Sequence, residues 1–220
     1  MEHKFWHERW SKDEIGFHQQ DVNPFLIKHW PTINSSANDT VFVPLCGKTV
    51  DLIWLAQRVG HVLGIELSQK AVDDFFNEHN IIPTVEPSGH FIKYQHQNLT
   101  ILCGDFFQLQ TADIQTCTLI YDRASLIAFP PQMRGLYVET LQQLFTQDHR
   151  QLLITLDYDQ QLMNGPPFSV SADEVQHLFS DTHSIQCLEA TQVIDNNQRF
   201  KNKGITSLLE PVFLLTAINL

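Results

Sequence analysis

Hydrophobic residues along this 220-residue chain gather into short apolar runs that alternate with segments of helical spacing. The first run, Val41-Phe42-Val43, is β-branched and aromatic, the pattern of a strand buried on both faces. Pro44 and Gly47 interrupt it, and Leu52, Leu55, Ala56 and Val59 follow at helical spacing. Gly60 stands where that spacing places a C-cap glycine. Val62, Leu63 and Ile65 form a second strand run with Glu66 at its carboxyl end. Two strands joined through so short a helix are expected to be parallel, with a right-handed crossover.

The alternation continues. Ser68 is placed to cap a helix with Ala71, Val72, Phe75 and Phe76 inward. Residues 79–89, with Pro83, Pro87 and Gly89, read as a connector. Residues 91–94 and 99–102 read as strands about a polar turn, residues 118–121 as another, and residues 152–156 as a further one. Residues 132–145 form an amphipathic helix with Leu136, Tyr137, Leu141, Leu144 and Phe145 inward. Gly165-Pro166-Pro167-Phe168 fits neither helix nor central strand, because two prolines withdraw two donors. Ser171 then caps a helix through Val175, Leu178 and Phe179. The tail offers two long strands, 184–194 and 205–219, about the basic loop 196–204. Pro211 in the second marks an edge position or a bulge.

This order predicts an α/β fold in one domain, residues 1–220. Residues 1–35 differ. Phe5, Trp6, Trp10, Phe17, Phe25 and Trp30 lie among charged and polar neighbours, too polar for plain core. The expectation is an N-terminal lid or cap segment packed on the sheet edge over a pocket.

Composition narrows the function. A formal net charge of −11 argues against a nucleic-acid partner, since phosphate neutralisation needs clustered Lys and Arg. No apolar run approaches the ~20 residues that span a bilayer, and MEHKFWHERW lacks the apolar core of a signal peptide. Cys46, Cys103, Cys117 and Cys187 form no paired motif and read as reduced thiols. The expectation is a cytoplasmic protein, monomeric because no sustained apolar surface stripe stands out.

Chemistry collects at strand ends: residues 45–47, Glu66, Asp105 and Asp122-Arg123. In an open parallel sheet, ligands bind outside these ends at the topological switch point. Each acid alone could merely cap the next helix. As a series, they suit a bound adenosine, with one carboxylate for the ribose diol. A dinucleotide wants G-x-G-x-x-G, and the turn P-L-C-G-K-T has one glycine, which counts against NAD or FAD. A Walker A loop needs a glycine where Phe42 stands. S-adenosylmethionine carries no phosphate, so one glycine suffices to let the chain pass beside it. His3 and His7 share a helical face without an evident third ligand, so no metal site is expected. Cys46 reads as a small packed residue.

These residues also carry a resemblance. The run VFVPLCGKTVDLIWLAQRVGHVLGIELSQKAV, with FWHERWSKDEIGFHQ, IYDRASLIAF and LLITLDYDQQLMNGPPFSV, resembles the thiopurine S-methyltransferases of bacterial length over nearly the whole chain. The resemblance implies a Rossmann-like class I methyltransferase. Its sheet would be mostly parallel and seven-stranded, with an antiparallel C-terminal hairpin and helices on both faces. It implies S-adenosylmethionine as cofactor, S-adenosylhomocysteine as product, and an aromatic or heterocyclic thiol as the small-molecule substrate. Residue by residue, it implies that Trp10, Leu45, Glu66, Asp105, Phe106 and Arg123 touch the cofactor. Phe17 and Arg199 would face the substrate, with Arg123 and Arg199 beside the reacting sulfur. A methyltransferase for selenium, tellurium or other soft nucleophiles stays open as an alternative, as does a NAD-dependent oxidoreductase.

Overall fold

The computed structural model describes residues 3–218. After helix α1 (His3–Ser11) and helix α2 (Pro24–His29), the chain enters β1 (Thr40–Val43), α3 (Asp51–Ala56), β2 (His61–Glu66) and α4 (Gln69–Glu78). Then come β3 (Thr84–Ser88), β4 (Phe91–His96), β5 (Leu99–Cys103), α5 (Thr111–Ile114), β6 (Cys117–Arg123) and α6 (Pro131–Leu144). The rest is β7 (Arg150–Ile154), β8 (Asp157–Tyr158), α7 (Ala172–Phe179), β9 (His183–Gln192), α8 (Gln198–Lys201) and β10 (Leu208–Ala217).

Strand order is β3-β4-β5-β2-β1-β6-β7-β10-β8, with β9 also paired to β10. The central strands β5, β2, β1, β6 and β7 are mutually parallel, and the pairings outward from β5 and β7 are antiparallel. The sheet therefore has ten strands where seven were expected. The largest departure is β3, in the segment read as a connector. Its residues are mostly exposed and it carries Pro87, so its pattern reads as loop; pairing with β4 at the sheet edge makes it a strand.

The continuous apolar runs are explained by burial on both faces. Val41 and Val43 pack with Leu52, Leu55 and Phe75 on one side, while Phe42 packs with Ile65, Tyr137 and Leu153 on the other. Caps match their sequence signals. The Asn23 side chain accepts from the N–H groups of Phe25 and Leu26, and the Ser68 and Ser171 hydroxyls accept from Ala71 and Glu174.

Three local expectations fail. Gly60 does not cap α3, whose C-cap is the right-handed Gln57. It is small because a Cβ there would lie 2.5 Å from the carbonyl oxygen of Ala37. Leu136 is exposed, on the outer side of α6. Pro211 is not at an edge: β10 lies between β7 and β9, and the ladder register slips between Val212 and Phe213, beside the proline. The expected end of that run at Asn219 lies outside the described residues.

Candidate active site

β1 leads left toward β2 and right toward β6, so the topology reverses at the carboxyl end of β1. There the turn after β1 is fastened to β2. The Cys46 N–H donates to the Ile65 carbonyl at 2.9 Å, and the Gly47 N–H donates to Glu66 Oε2 at 2.8 Å. Leu45 is held at φ 44°, a strained left-handed backbone for a branched residue. Gly47 has φ +54°, and a Cβ there would meet the Trp10 ring at 3.1 Å. The single glycine thus serves both backbone and contact. Gly64 in β2 gives the turn room, since a Cβ would lie 2.8 Å from Cys46 Sγ.

Glu66 is buried and has no cationic partner among the described residues. Its Oε1 accepts from the Ser68 N–H at 2.7 Å and its Oε2 from Gly47. Burial pushes its carboxyl up to about 7, with the backbone N–H bonds pulling the other way. Each oxygen retains a lone pair toward the cleft.

That cleft encloses about 1040 Å³ of space, part of it open to solvent, and is mostly apolar. Trp10, Phe17, Leu45, Glu66, Asp105 and Phe106 all line it. Trp10 is buried and meets Phe17 edge-on at 5.6 Å, and Trp6 meets Phe17 at 5.9 Å. Asp105 caps the following turn through the Phe107 N–H and lies 3.2 Å from His3 Nε2. A helix-capping role and a place in the cleft thus coexist.

Arg123 and Arg199 lie one chamber further on. This second space also includes Phe17, Ala124, Ile127 and Pro167, so the two open into each other around Phe17. One Arg123 nitrogen donates to the Phe17 carbonyl at 3.3 Å, and one of Arg199 to the Pro166 carbonyl at 3.3 Å. Asp122, by contrast, turns inward. Its carboxylate accepts from the Tyr137 hydroxyl at 2.7 Å and the Leu126 N–H at 3.3 Å, under the loop that follows β6. Lys48 of the Gly-Lys-Thr tripeptide pairs with Glu78 at 2.6 Å, on α4.

Several lining residues carried no sequence signal. Phe129 and Met133 precede or begin α6 and read there as core. Pro166 and Pro167 were legible as irregular backbone but not as cleft wall; two cis peptide bonds lead through them.

Residues 1–217 match the family model described as "Thiopurine S-methyltransferase (TPMT)". The chain belongs to the thiopurine S-methyltransferase family. It is accordingly an S-adenosylmethionine-dependent methyltransferase. Family members of similar sequence include the thiopurine S-methyltransferase of Pseudomonas fluorescens (strain Pf0-1), 46% identical over 218 residues, 99% of this chain and 100% of that protein. That of Azotobacter vinelandii (strain DJ / ATCC BAA-1303) is 47% identical, over 98% of this chain and 99% of that one. Among solved structures, the N-methyltransferase NodS from Bradyrhizobium japonicum WM9, in complex with S-adenosylhomocysteine, aligns with a TM-score of 0.64 at 11% identity, over 97% of this chain and 98% of that one. At that identity the likeness shows the fold, a Rossmann-like methyltransferase fold.

The residues present fit the cofactor. Glu66 offers free acceptor capacity, the Gly47 cradle is one that a Cβ would fill, and the aromatic faces of Trp10 and Phe17 suit a sulfonium cation.

Proposed function

We propose that this protein transfers the methyl group of S-adenosylmethionine to the sulfur of an aromatic or heterocyclic thiol, leaving S-adenosylhomocysteine. The observation that carries this reading is the pair of joined chambers about Phe17. One is built around Glu66 beneath Trp10, and the other holds Arg123 and Arg199.

When bound, the cofactor supplies a methyl group already activated for displacement. Glu66 takes the ribose hydroxyls, and the residues about Asp105 and Phe106 take the adenine edge. Trp10 and Phe17 close over the sulfonium and exclude water. Holding two reactants in line contributes up to ~7–11 kcal/mol in favourable cases. The remaining requirement is an ionised sulfur. Arg123 and Arg199 supply positive charge in the acceptor chamber, which favours a thiolate by the logic that lowers any thiol pKa beside a cation. Heteroaromatic thiols ionise readily, so no single side chain has to act as a strong base.

The proposal extends to the whole molecule: one domain with residues 1–35 as a cap, acting as a monomer in the cytoplasm on a small molecule, without nucleic acid. The net charge of −11 supports the last point, and the free cysteines support the compartment. Among the described residues no helix is long and apolar enough to cross a membrane. The test is transfer of label from methyl-labelled S-adenosylmethionine to a panel of thiols and selenols. Labelled thioether from aromatic thiols is expected, and no product from any aromatic thiol would sink the reading.

A further inference from the structure

The acceptor chamber, about 640 Å³, contains more than its two arginines. On its floor, where β7 ends, Thr155 is fully buried, and its hydroxyl finds no hydrogen-bonding partner among the described residues. Its backbone is well anchored, the N–H donating to the Pro211 carbonyl at 3.0 Å. The orphan is therefore the side chain alone. A buried hydroxyl without a partner costs about 1–3 kcal/mol, and such groups are rare unless something else satisfies them.

Next to Pro211 stands Glu210, from β10, facing the same chamber. It forms no salt bridge with the described cations. Burial raises its carboxyl pKa, while the Arg123 guanidinium and the Asn23 amide pull it back toward ionisation. A chamber whose walls are otherwise Phe17, Pro167 and Ile127 thus presents an acceptor and a hydroxyl on one side and two guanidinium groups on the other. A plain thiophenol would bring sulfur to the arginines and leave both floor groups unmet.

Building on the activity proposed above, we infer that Glu210 and Thr155 are specificity-determining residues. They hydrogen-bond the ring N–H and ring nitrogen of a nitrogen heterocyclic thiol, and so favour it over a carbocyclic one. The warrant is the asymmetry of hydrogen-bonded sites. A site built to pair with an N–H or O–H rejects an analogue lacking it far more strongly than an apolar pocket discriminates size, because its own polar groups stay unpaired. The arrangement also separates charges usefully. Arg123 and Arg199 meet the sulfur, and the carboxylate meets the far edge of the ring, where its charge opposes thiolate formation least.

The test is a competition of two acceptors, purine-6-thiol and thiophenol, in the full-length enzyme. The readout is the ratio of their kcat/KM values in wild type, Glu210→Gln, Thr155→Val and Thr155→Ser. Glu210→Gln is expected to lower the purine-6-thiol to thiophenol ratio at least tenfold. Thr155→Val lowers it at least threefold, and Thr155→Ser, which keeps the hydroxyl, restores it. Thr155→Val removes a partnerless hydroxyl without changing shape, so its melting temperature is expected to equal or exceed that of wild type. That outcome keeps the ratio readable as specificity. A wild-type enzyme that methylates both thiols while the ratio stays within twofold in both Glu210→Gln and Thr155→Val overturns the inference alone. A wild-type enzyme that methylates neither overturns the activity proposed above, and the inference with it.

Discussion

Replacing Glu66 by glutamine tests the centre of the site in two independent ways. Burial lifts this carboxyl from 4.5 to about 7. At ~1.4 kcal/mol per pH unit, the folded protein disfavours the ionised form by about 3 kcal/mol. The neutral form is the better folded one. Stability from this group is therefore fully present below pH 4.5 and is lost as the pH rises through about 7. Glutamine does not titrate, but its NH₂ must face either the Gly47 or the Ser68 N–H, which leaves one donor without an acceptor at a cost of ~1–3 kcal/mol. Glu66→Gln is thus expected to be less stable than wild type near pH 4 and equal or better near pH 8. Urea unfolding of both proteins at several pH values should show the difference moving by about 3 kcal/mol in favour of the variant. The second readout is calorimetric binding of S-adenosylhomocysteine. Loss of charge-assisted bonds worth ~1.5–3 kcal/mol weakens affinity about 10- to 100-fold at pH 8. Wild-type binding should release protons near neutral pH, because hydroxyl donors favour the carboxylate, and the variant should not. Parallel stability profiles, together with affinity within threefold of wild type, would refute both the burial argument and the ribose assignment.

Arg123→Ala is expected to lower kcat/KM about 10- to 100-fold, with the deficit largest below the thiol pKa, where stabilising the thiolate matters most; a pH-independent deficit would argue for positioning alone. Gly47→Ala forces a Cβ against Trp10 on a left-handed backbone, so it should cost ~1–2 kcal/mol in thermal unfolding and weaken S-adenosylhomocysteine binding; unchanged affinity would remove Trp10 from the cofactor wall. Deleting residues 1–20 should leave a protein that folds but turns over poorly, and full activity in that truncation would end the cap proposal. At the opposite end of the sheet, His149 and His183 are buried with their Nε2 atoms 2.9 Å apart. Burial, then the neighbouring His149, lowers His183 to about 4. The neutral ring is the folded form, so stability is present above pH 6.5 and lost as pH falls toward about 4, and His183→Gln should flatten that acid limb of the unfolding profile.

The sequence by itself determined the elements whose energetics are local or repeated. The strand from Thr40 to Val43 was visible because a strand buried on both faces must be apolar throughout. The helices after Asn23, Ser68 and Ser171 were visible because a side-chain oxygen must meet their first N–H groups. Glu66 was legible because the end of a parallel strand after a glycine turn is a place the fold reserves for ligand. Other features depended on what lies across space. β3 is a strand only because β4 offers it a ladder, and Gly60 is a glycine because Ala37 passes over it. Asp122 and Arg123 are adjacent in sequence, yet strand alternation sends the acid to Tyr137 in the interior and the arginine to the acceptor chamber. Thr155 and Glu210 lie 55 positions apart, among residues that read as ordinary strand ends. Only the antiparallel return of β10 beside β7 brings them to one floor, because pairing register is a property of two strands and is written in neither alone.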